Sequence, residues 1–433
     1  MAMDGKELVE KLAKLSQVQS IKDIPQLTHA LFPGTHCPLM GAAMAVGGIK
    51  DSLIVVVGTD ECTYYTKSMT IHSEKFGGID GRCVSVVLDD HDVTFGSAEK
   101  VQEAFKEIIE EYRPQCVFLV TTCVIEIIGD DFDAISEGLS ELYGIPVLPV
   151  HTEHFKCEDH LPGLERTITV CAEMMKSCDS DNSVNLLGQR MGDFATTELY
   201  AMLQKAGVKI GLQLPCGCSG DDIKNAAAAK VNIVVNDIAL PLAQKMQEKF
   251  GIPYVYFNKF VIPEKIYEAY KNLFGYLELE LPGELEGLYQ NAREKIEKNK
   301  GELEGITYIY GNTPYAVFEM NCFLSSLGMV PQVIQTNRYT EADEPYAKEI
   351  LQYTDPYVCK AANIAPLQYV YDVLSPYLYL GHEFGNRLRQ KGIAIVHSDR
   401  ASGMLGFEVT GYLLQQLVKS VREAKEYRKE LGL

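Results

Sequence analysis

The chain has 433 residues and a formal net charge of −19, which makes a nucleic-acid backbone or an anionic bilayer an unfavourable partner. Hydrophobic content of 46% with 23% charged residues is that of a globular protein, long enough for two or three cores. No apolar stretch reaches the roughly 18 residues of a membrane span, the opening MAMDGKELVEKLAKL reads as a charged amphipathic helix and not a secretory signal, and twelve cysteines in that setting point to the reducing cytoplasm and to metal or redox chemistry.

Three α/β units follow in order. The first, residues 1–180, carries the apolar runs DSLIVVVG, CVSVVLD, QCVFLVTT and IPVLPV, with amphipathic helices such as AEKVQEAFKEIIEEY between them. Runs that are continuous and not alternating predict strands buried on both faces, and strands alternating with helices predict parallel sheets. The second unit, residues 181–304, opens after the polar KSCDSDNS and runs through SVNLLG, VKIGLQL, KVNIVVN and IPYVYFN to a Glu/Lys-rich helical connection from about Leu281 to Glu304. The third, residues 305–433, begins ITYIYGNTPYAVFEMNCFLSSLGMVPQVIQT and closes on a helix from about Thr410 to Glu430. No GxGxxG opens a helix after the first strand of a unit and no GxxxxGK[ST] occurs, so neither dinucleotide binding nor ATP hydrolysis is expected of this chain.

Cysteines mark the strand ends. Cys37 stands in GTHCPLMGAA before a helix-like stretch, Cys62 in VVVGTDECTYYTK and Cys123 in VFLVTTCVIEIIGDD. Ligands of open α/β sheets collect at the carboxyl ends of strands, and three thiolates meeting there suit an iron–sulfur cluster. The alternative is that these are small buried hydrophobes, as free cysteines often are.

The motifs CPLMGAAMAVGGI, GTDECTYYTK, TTCVIEIIGDD, VNLLGQR, AKVNIVVN with EKFGIPYVYFN, and GMLGFE, spread over about residues 30–420, resemble component 1 of nitrogenase and its relatives: cofactor-scaffold proteins, protochlorophyllide and chlorophyllide reductases, the reductive cyclase of coenzyme F430 synthesis and methylthio-alkane reductase. The resemblance implies three Rossmann-like domains around a central cavity. It implies an interface cluster, [4Fe–4S] or a P-cluster-like [8Fe–7S], held by Cys37, Cys62 and Cys123. It further implies a separate P-loop iron protein that hydrolyses ATP and delivers electrons, and a second subunit, either another copy in a homodimer or a related chain in a heterotetramer. The expected function is the catalytic component of a nitrogenase-like reductase; the alternatives are a scaffold for assembling a metal cofactor and an electron-relay subunit.

Several positions depart from, or add to, that pattern. The cysteine that anchors the nitrogenase cofactor is matched by Asn236, next to Asp237, so a cofactor held in the usual way is not expected. Cys216 and Cys218, in LPCGCSG, read either as ligands of a second metal centre or as a flexible turn with incidental thiols. His397, with Asp399 and Arg400, falls near the cofactor histidine of nitrogenase and is a candidate for substrate contact or proton donation, as is His382 beside Glu383. The loop VLPVHTEHFKCEDHLPG carries His151, His154, Cys157, Glu158, Asp159 and His160, of which Cys157 is a candidate fourth thiolate and Glu158 a further ligand. Cys83, Cys116, Cys171, Cys178, Cys322 and Cys359 read as structural.

Overall fold

The computed structural model describes residues 5–27, 36–72, 82–157, 159–190, 192–257, 261–311, 313, 316–360 and 364–433. Three mainly parallel sheets organise it. The first is formed by β1 (Ser52–Gly58), β2 (Cys83–Val87), β3 (Cys116–Thr121) and β4 (Val147–Val150) in the order β2-β1-β3-β4. The second is formed by β5 (Val184–Gln189), β6 (Ile210–Pro215), β7 (Val231–Val234) and β8 (Tyr254–Tyr256) in the order β8-β7-β5-β6. The third contains β9 (Thr307–Tyr310), β10 (Val330–Gln335), β11 (Tyr357–Cys359), β12 (Leu378–Leu380) and β13 (Ala394–Val396) in the order β11-β10-β9-β12-β13.

Why the apolar runs become central strands is visible in β1 and β3, every residue of which is buried. Leu53, Val55, Val57, Val117 and Leu119 pack into the core on one face, while Ile54, Val56, Phe118 and Val120 pack into the core on the other. Each such side chain contributes roughly 1.5–3 kcal/mol by leaving water, so neither face of the strand pair can tolerate the polar residue an alternating strand would carry.

In each sheet the first strand of the unit lies inside, the chain builds to one side, and it then crosses back to the other. The reversal falls between β1 and β3, between β5 and β7, and between β9 and β12. Such reversals leave a crevice outside the carboxyl ends of the strands, where open α/β sheets bind ligands. At the first of them Val57 lies opposite Thr121, and a Cβ added to Gly58 would stand 2.0 Å from the Thr122 hydroxyl. Only glycine lets the two strand ends approach this closely.

Cys37 is placed by a helix contact. The helix Pro38–Gly47 starts directly after it, with Pro at the first position and eight of its residues buried. It packs on the helix Leu161–Val170. A Cβ on Gly41 would meet the His160 carbonyl oxygen at 1.9 Å, and one on Gly163 would meet that of Pro38 at 1.8 Å. The small residues of PLMGAAMAVG therefore serve close packing.

Residues before the first sheet do not stay with it. Ala13–Lys14 pairs antiparallel with β11, and Leu8, Leu12 and Leu27 join Ile309, Val333 and Cys359 in a core of the third unit. The charged connection is the helix Leu285–Leu303, which packs along the closing helix Glu408–Leu431 and is tied to it by Arg422 and Glu302 at 2.8 Å. No helix among the described residues is long and apolar enough to cross a membrane.

Gly163→Ala is expected to lower stability by about 1–3 kcal/mol, the usual cost of forcing atoms into a packed interior, and to move Cys37 with its helix. Denaturant unfolding checks the first effect; a variant as stable as the parent would mean that the helices separate freely.

Candidate functional site

The first crevice gathers the three thiols. Cys62 lies in the first turn of the helix Asp60–His72 after β1, Cys123 begins the helix Cys123–Ile128 after β3, and Cys37 caps the helix Pro38–Gly47. All three are half-buried. Burial pushes the Cys62 thiol above its ordinary range, and neighbouring Cys37 and Glu61 push the same way, opposed by a hydrogen bond with Thr59. Burial likewise raises Cys123, with Cys62 and Cys37 adding to it. Cys62 thus feels Cys37, and Cys123 feels both Cys62 and Cys37. No Lys or Arg among the described residues figures in the environment of Cys62 or Cys123.

That arrangement bears on a metal cluster. Three thiolates crowded together without a fixed cation repel one another, and bound metal ions remove the repulsion and deprotonate the thiols outright. The three sulfurs do not all lie within 4.8 Å of one another; among the described residues only Asp89, His91 and Asp92 form so tight a group, at an acidic helix start where Lys100 already neutralises Asp92 at 2.5 Å. A cluster is wider than a single ion, so its ligands stand farther apart.

The loop after β4 is fastened to this crevice. Thr121 accepts from the Thr152 amide at 3.2 Å and bonds Glu126, which in turn accepts from the Glu153 amide at 3.3 Å. Glu153 takes a left-handed φ of 42° and is clamped by Arg166 at 2.7 Å and Lys156 at 2.5 Å. The next residue, His154, brings Nδ1 to 3.1 Å from the Cys123 sulfur. Cys157 is turned elsewhere: its sulfur lies 3.8 Å from the Thr152 carbonyl and 3.8 Å from Arg166. Glu158 lies outside the described residues.

A second gathering forms where the three units meet. Asp159 and His160 come from the first, Arg190 and Asp237 from the ends of β5 and β7, and Arg338, Glu319 and Asp343 from the third. Arg338 reaches Asp159 at 3.8 Å, and the Tyr256 hydroxyl bonds Asp237. Burial and the nearby Arg190 hold His160 down to about 4, so its imidazole is neutral at ordinary pH. Asn236 caps a short helix by accepting from the Ile238 amide at 3.3 Å. Glu319 is buried, with Oε1 unbonded and 3.8 Å from Lys265. Burial pushes its carboxyl up to about 7.

The remaining candidates scatter. Cys218 is buried in a short strand paired with Ile49–Lys50, in the core that also holds Cys116 and Cys171, and burial pushes its thiol up to about 12. Cys216, half-buried, acts electrostatically on Arg190. The two thiols of the CGC turn thus have different surroundings. His382, His397, Asp399 and Arg400 are all exposed at the ends of β12 and β13, where His382 Nε2 lies 3.1 Å from Asp399. In the sequence His154 is one of several possible ligands in its loop, Arg190 only closes the motif VNLLGQR, and nothing local marks Arg338 or Glu319, because the crowding arises only when the units meet.

Residues 37–422 match the family model of nitrogenase component 1 type oxidoreductases, and the chain belongs to that family. A nitrogenase iron-molybdenum cofactor biosynthesis protein NifE from Clostridium pasteurianum is 31% identical over 224 residues, 51% of this chain and 49% of that protein. Another NifE, from Rippkaea orientalis, is 25% identical over 73% of this chain and 69% of its own length, and the nitrogenase molybdenum-iron protein alpha chain of Methanosarcina barkeri is 24% identical over 72% and 62%. The chain spans 49–69% of the length of these three curated relatives. Among solved structures, nitrogenase Cp1 at pH 6.5 superposes with a TM-score of 0.76 at 15% identity, covering 92% of this chain and 94% of that one, a likeness of fold.

The junction generates a pH prediction. The folded chain keeps a proton on Glu319 up to about 7, whereas the unfolded chain releases it near the ordinary value of 4.5. Folding is therefore favoured below the lower value and loses up to about 3 kcal/mol as pH rises to the higher one. Glu319→Gln, which cannot ionise, should flatten this decline in denaturant titrations from pH 4.5 to 7; the same slope in both proteins would place the ionisation elsewhere.

Proposed function

We propose that this chain is one subunit of a nitrogenase-like redox core. It would hold an iron–sulfur cluster on Cys37, Cys62 and Cys123, receive electrons from an ATP-hydrolysing iron protein, and serve a guest held where the three units meet. The observation that carries the reading is the convergence of three thiols on the crevice between β1 and β3, where Cys37 acts on Cys62 and both act on Cys123. Membership in a family of oxidoreductases supports it.

The protein's own contribution is mostly positioning. Gly58 and the Gly41–Gly163 contact set where the cysteines stand. The bound cluster would supply one-electron transfer. Three thiolates leave a four-iron cluster one ligand short, so a second subunit, another copy or a related chain, would complete it. An eight-iron cluster shared between two such sets fits the same geometry. Tyr64 at 71% exposed, Ile127 at 73% and Phe155 at 57% lie on the helices and loop that carry Cys62, Cys123 and His154, and a partner covering the thiols would bury them. The chain has no phosphate loop, so ATP hydrolysis falls to the iron protein.

The use made of the electrons has two readings. Relatives named for cofactor biosynthesis favour a scaffold that holds a metal-cofactor precursor. Asn236, an amide where the resembled proteins have a cofactor thiolate, favours a reductase acting on a guest that needs no thiolate at that position. Cys216, which acts electrostatically on Arg190, remains a candidate ligand at that junction, as Cys157 does at its loop, and His382, His397 and Arg400 remain candidate substrate contacts. Metal analysis of the anaerobically purified chain separates the readings: metal beyond that of the interface cluster supports the scaffold, and interface iron alone supports the reductase.

Cys62→Ala or Cys123→Ala is expected to remove most of the bound iron and the EPR signal of the reduced protein. Cys171→Ala, at a thiol sealed in the core, should keep both. Full iron retention in either crevice variant contradicts the assignment.

A further inference from the structure

We propose that His154 is a positioning residue that donates a hydrogen bond to the sulfur of Cys123 and so raises the reduction potential of the group this cysteine binds. The inference rests on the cluster reading above and adds a residue to it.

The geometry is specific. Nδ1 of His154 and the sulfur of Cys123 are 3.1 Å apart. Each iron of a [4Fe–4S] cluster takes one protein ligand besides its sulfides, and ligands of different irons stand farther apart than this, so the contact is that of a hydrogen bond and not of a second ligand. A metal-bound thiolate carries no proton. The hydrogen in the contact must then sit on Nδ1, which assigns the tautomer by chemistry.

The loop is built to hold that contact. Glu153 has a left-handed φ of 42°, a costly conformation for a residue with a side chain, and such strain persists only where the surroundings impose it. Here they do so from several sides. Arg166 and Lys156 grip the Glu153 carboxylate at 2.7 and 2.5 Å, its amide donates to Glu126 at 3.3 Å, and the preceding Thr152 amide donates to Thr121 at 3.2 Å. Thr121 and Glu126 flank Cys123 on the same strand and helix. The anchors of the loop and the sulfur it addresses are therefore tied to the same strand and helix. A short helix His154–Lys156 follows at once and fixes the direction in which the ring leaves the backbone.

The consequence is electronic. Reduction adds negative charge that spreads onto the sulfurs, and an N–H aimed at one of them stabilises the reduced form more than the oxidised form. Arg166 also donates to the Thr152 carbonyl at 2.6 Å, so it holds the loop without facing the sulfur.

The experiment compares the full chain purified anaerobically with His154→Ala and His154→Gln, reading iron content, the EPR signal and the midpoint potential from a dye-mediated redox titration. Expected is unchanged iron in both variants, a midpoint shifted to more negative potential in His154→Ala beyond the reproducibility of the titration, and partial return toward the parent value in His154→Gln, whose amide can still donate. Iron present with an unmoved potential in His154→Ala overturns the inference while leaving the cluster reading intact. Loss of iron in His154→Ala also overturns it, by making the residue a ligand. A parent protein without iron removes the cluster reading and the inference together.

Discussion

The site depends on the close approach of two strand ends. Where β1 and β3 lie side by side and the chain reverses direction across the sheet, the turns leaving them must diverge to opposite faces while their first residues stay almost in contact. Gly58 permits this against Thr122, and the next helical turns carry Cys62 and Cys123. A side chain at position 58 would separate the thiols before any metal could bring them together. The same constraint reaches Cys37 by another route, through the Gly41 and Gly163 contact between two helices. Packing thus sets the thiols: the positions of the sulfurs are determined by backbone contacts that contain no sulfur.

The two gatherings of polar groups differ in kind, and the difference separates their tasks. At the first crevice the groups are thiols whose burial favours the protonated, uncharged form, a cost that a metal reverses. At the junction of the three units the groups are of both signs, Arg190 and Arg338 with Asp159, Asp237 and Asp343, around an imidazole kept neutral by burial and by Arg190. Arg190, His160 and Asp343 are poorly solvated, and charges so placed interact strongly and are costly to leave unpaired, while Asp237 stays exposed at the rim. Such a place suits a polar or charged guest and not a second apolar core.

Much of the fold was legible in the sequence because the information was local. Continuous apolar runs such as LIVVVG and CVFLVT predict strands buried on both faces, and both are. The closing helix, expected from about Thr410 to Glu430, runs from Glu408 to Leu431. Cys62 and Cys123 stand out because each enters a helix just after a strand, and Cys37 because it stands directly before a helix. What could not be read was everything that depends on contacts distant along the chain. Chain order places the opening segment in the first unit, but its leucines find their partners on the third sheet. Cys216 and Cys218 look like a pair in the sequence. Strand pairing with Ile49–Lys50 draws Cys218 into the core, and Cys216 stays beside Arg190.

The loop after β4 shows how a site can be marked by strain when composition does not mark it. HTEHFKCEDH offers many possible ligands, and residue type alone favours Cys157, the one thiol. The backbone decides differently. Arg166 bonds the Thr152 carbonyl and lies 3.8 Å from the Cys157 sulfur, which places that thiol against the loop backbone and not at Cys123. The left-handed residue Glu153 then turns the chain so that the imidazole, and not the thiol, faces Cys123. A loop with an unstrained residue at 153 would leave His154 free to point into solvent, and the ion pairs and hydrogen bonds that hold Glu153 in place are the physical reason it does not.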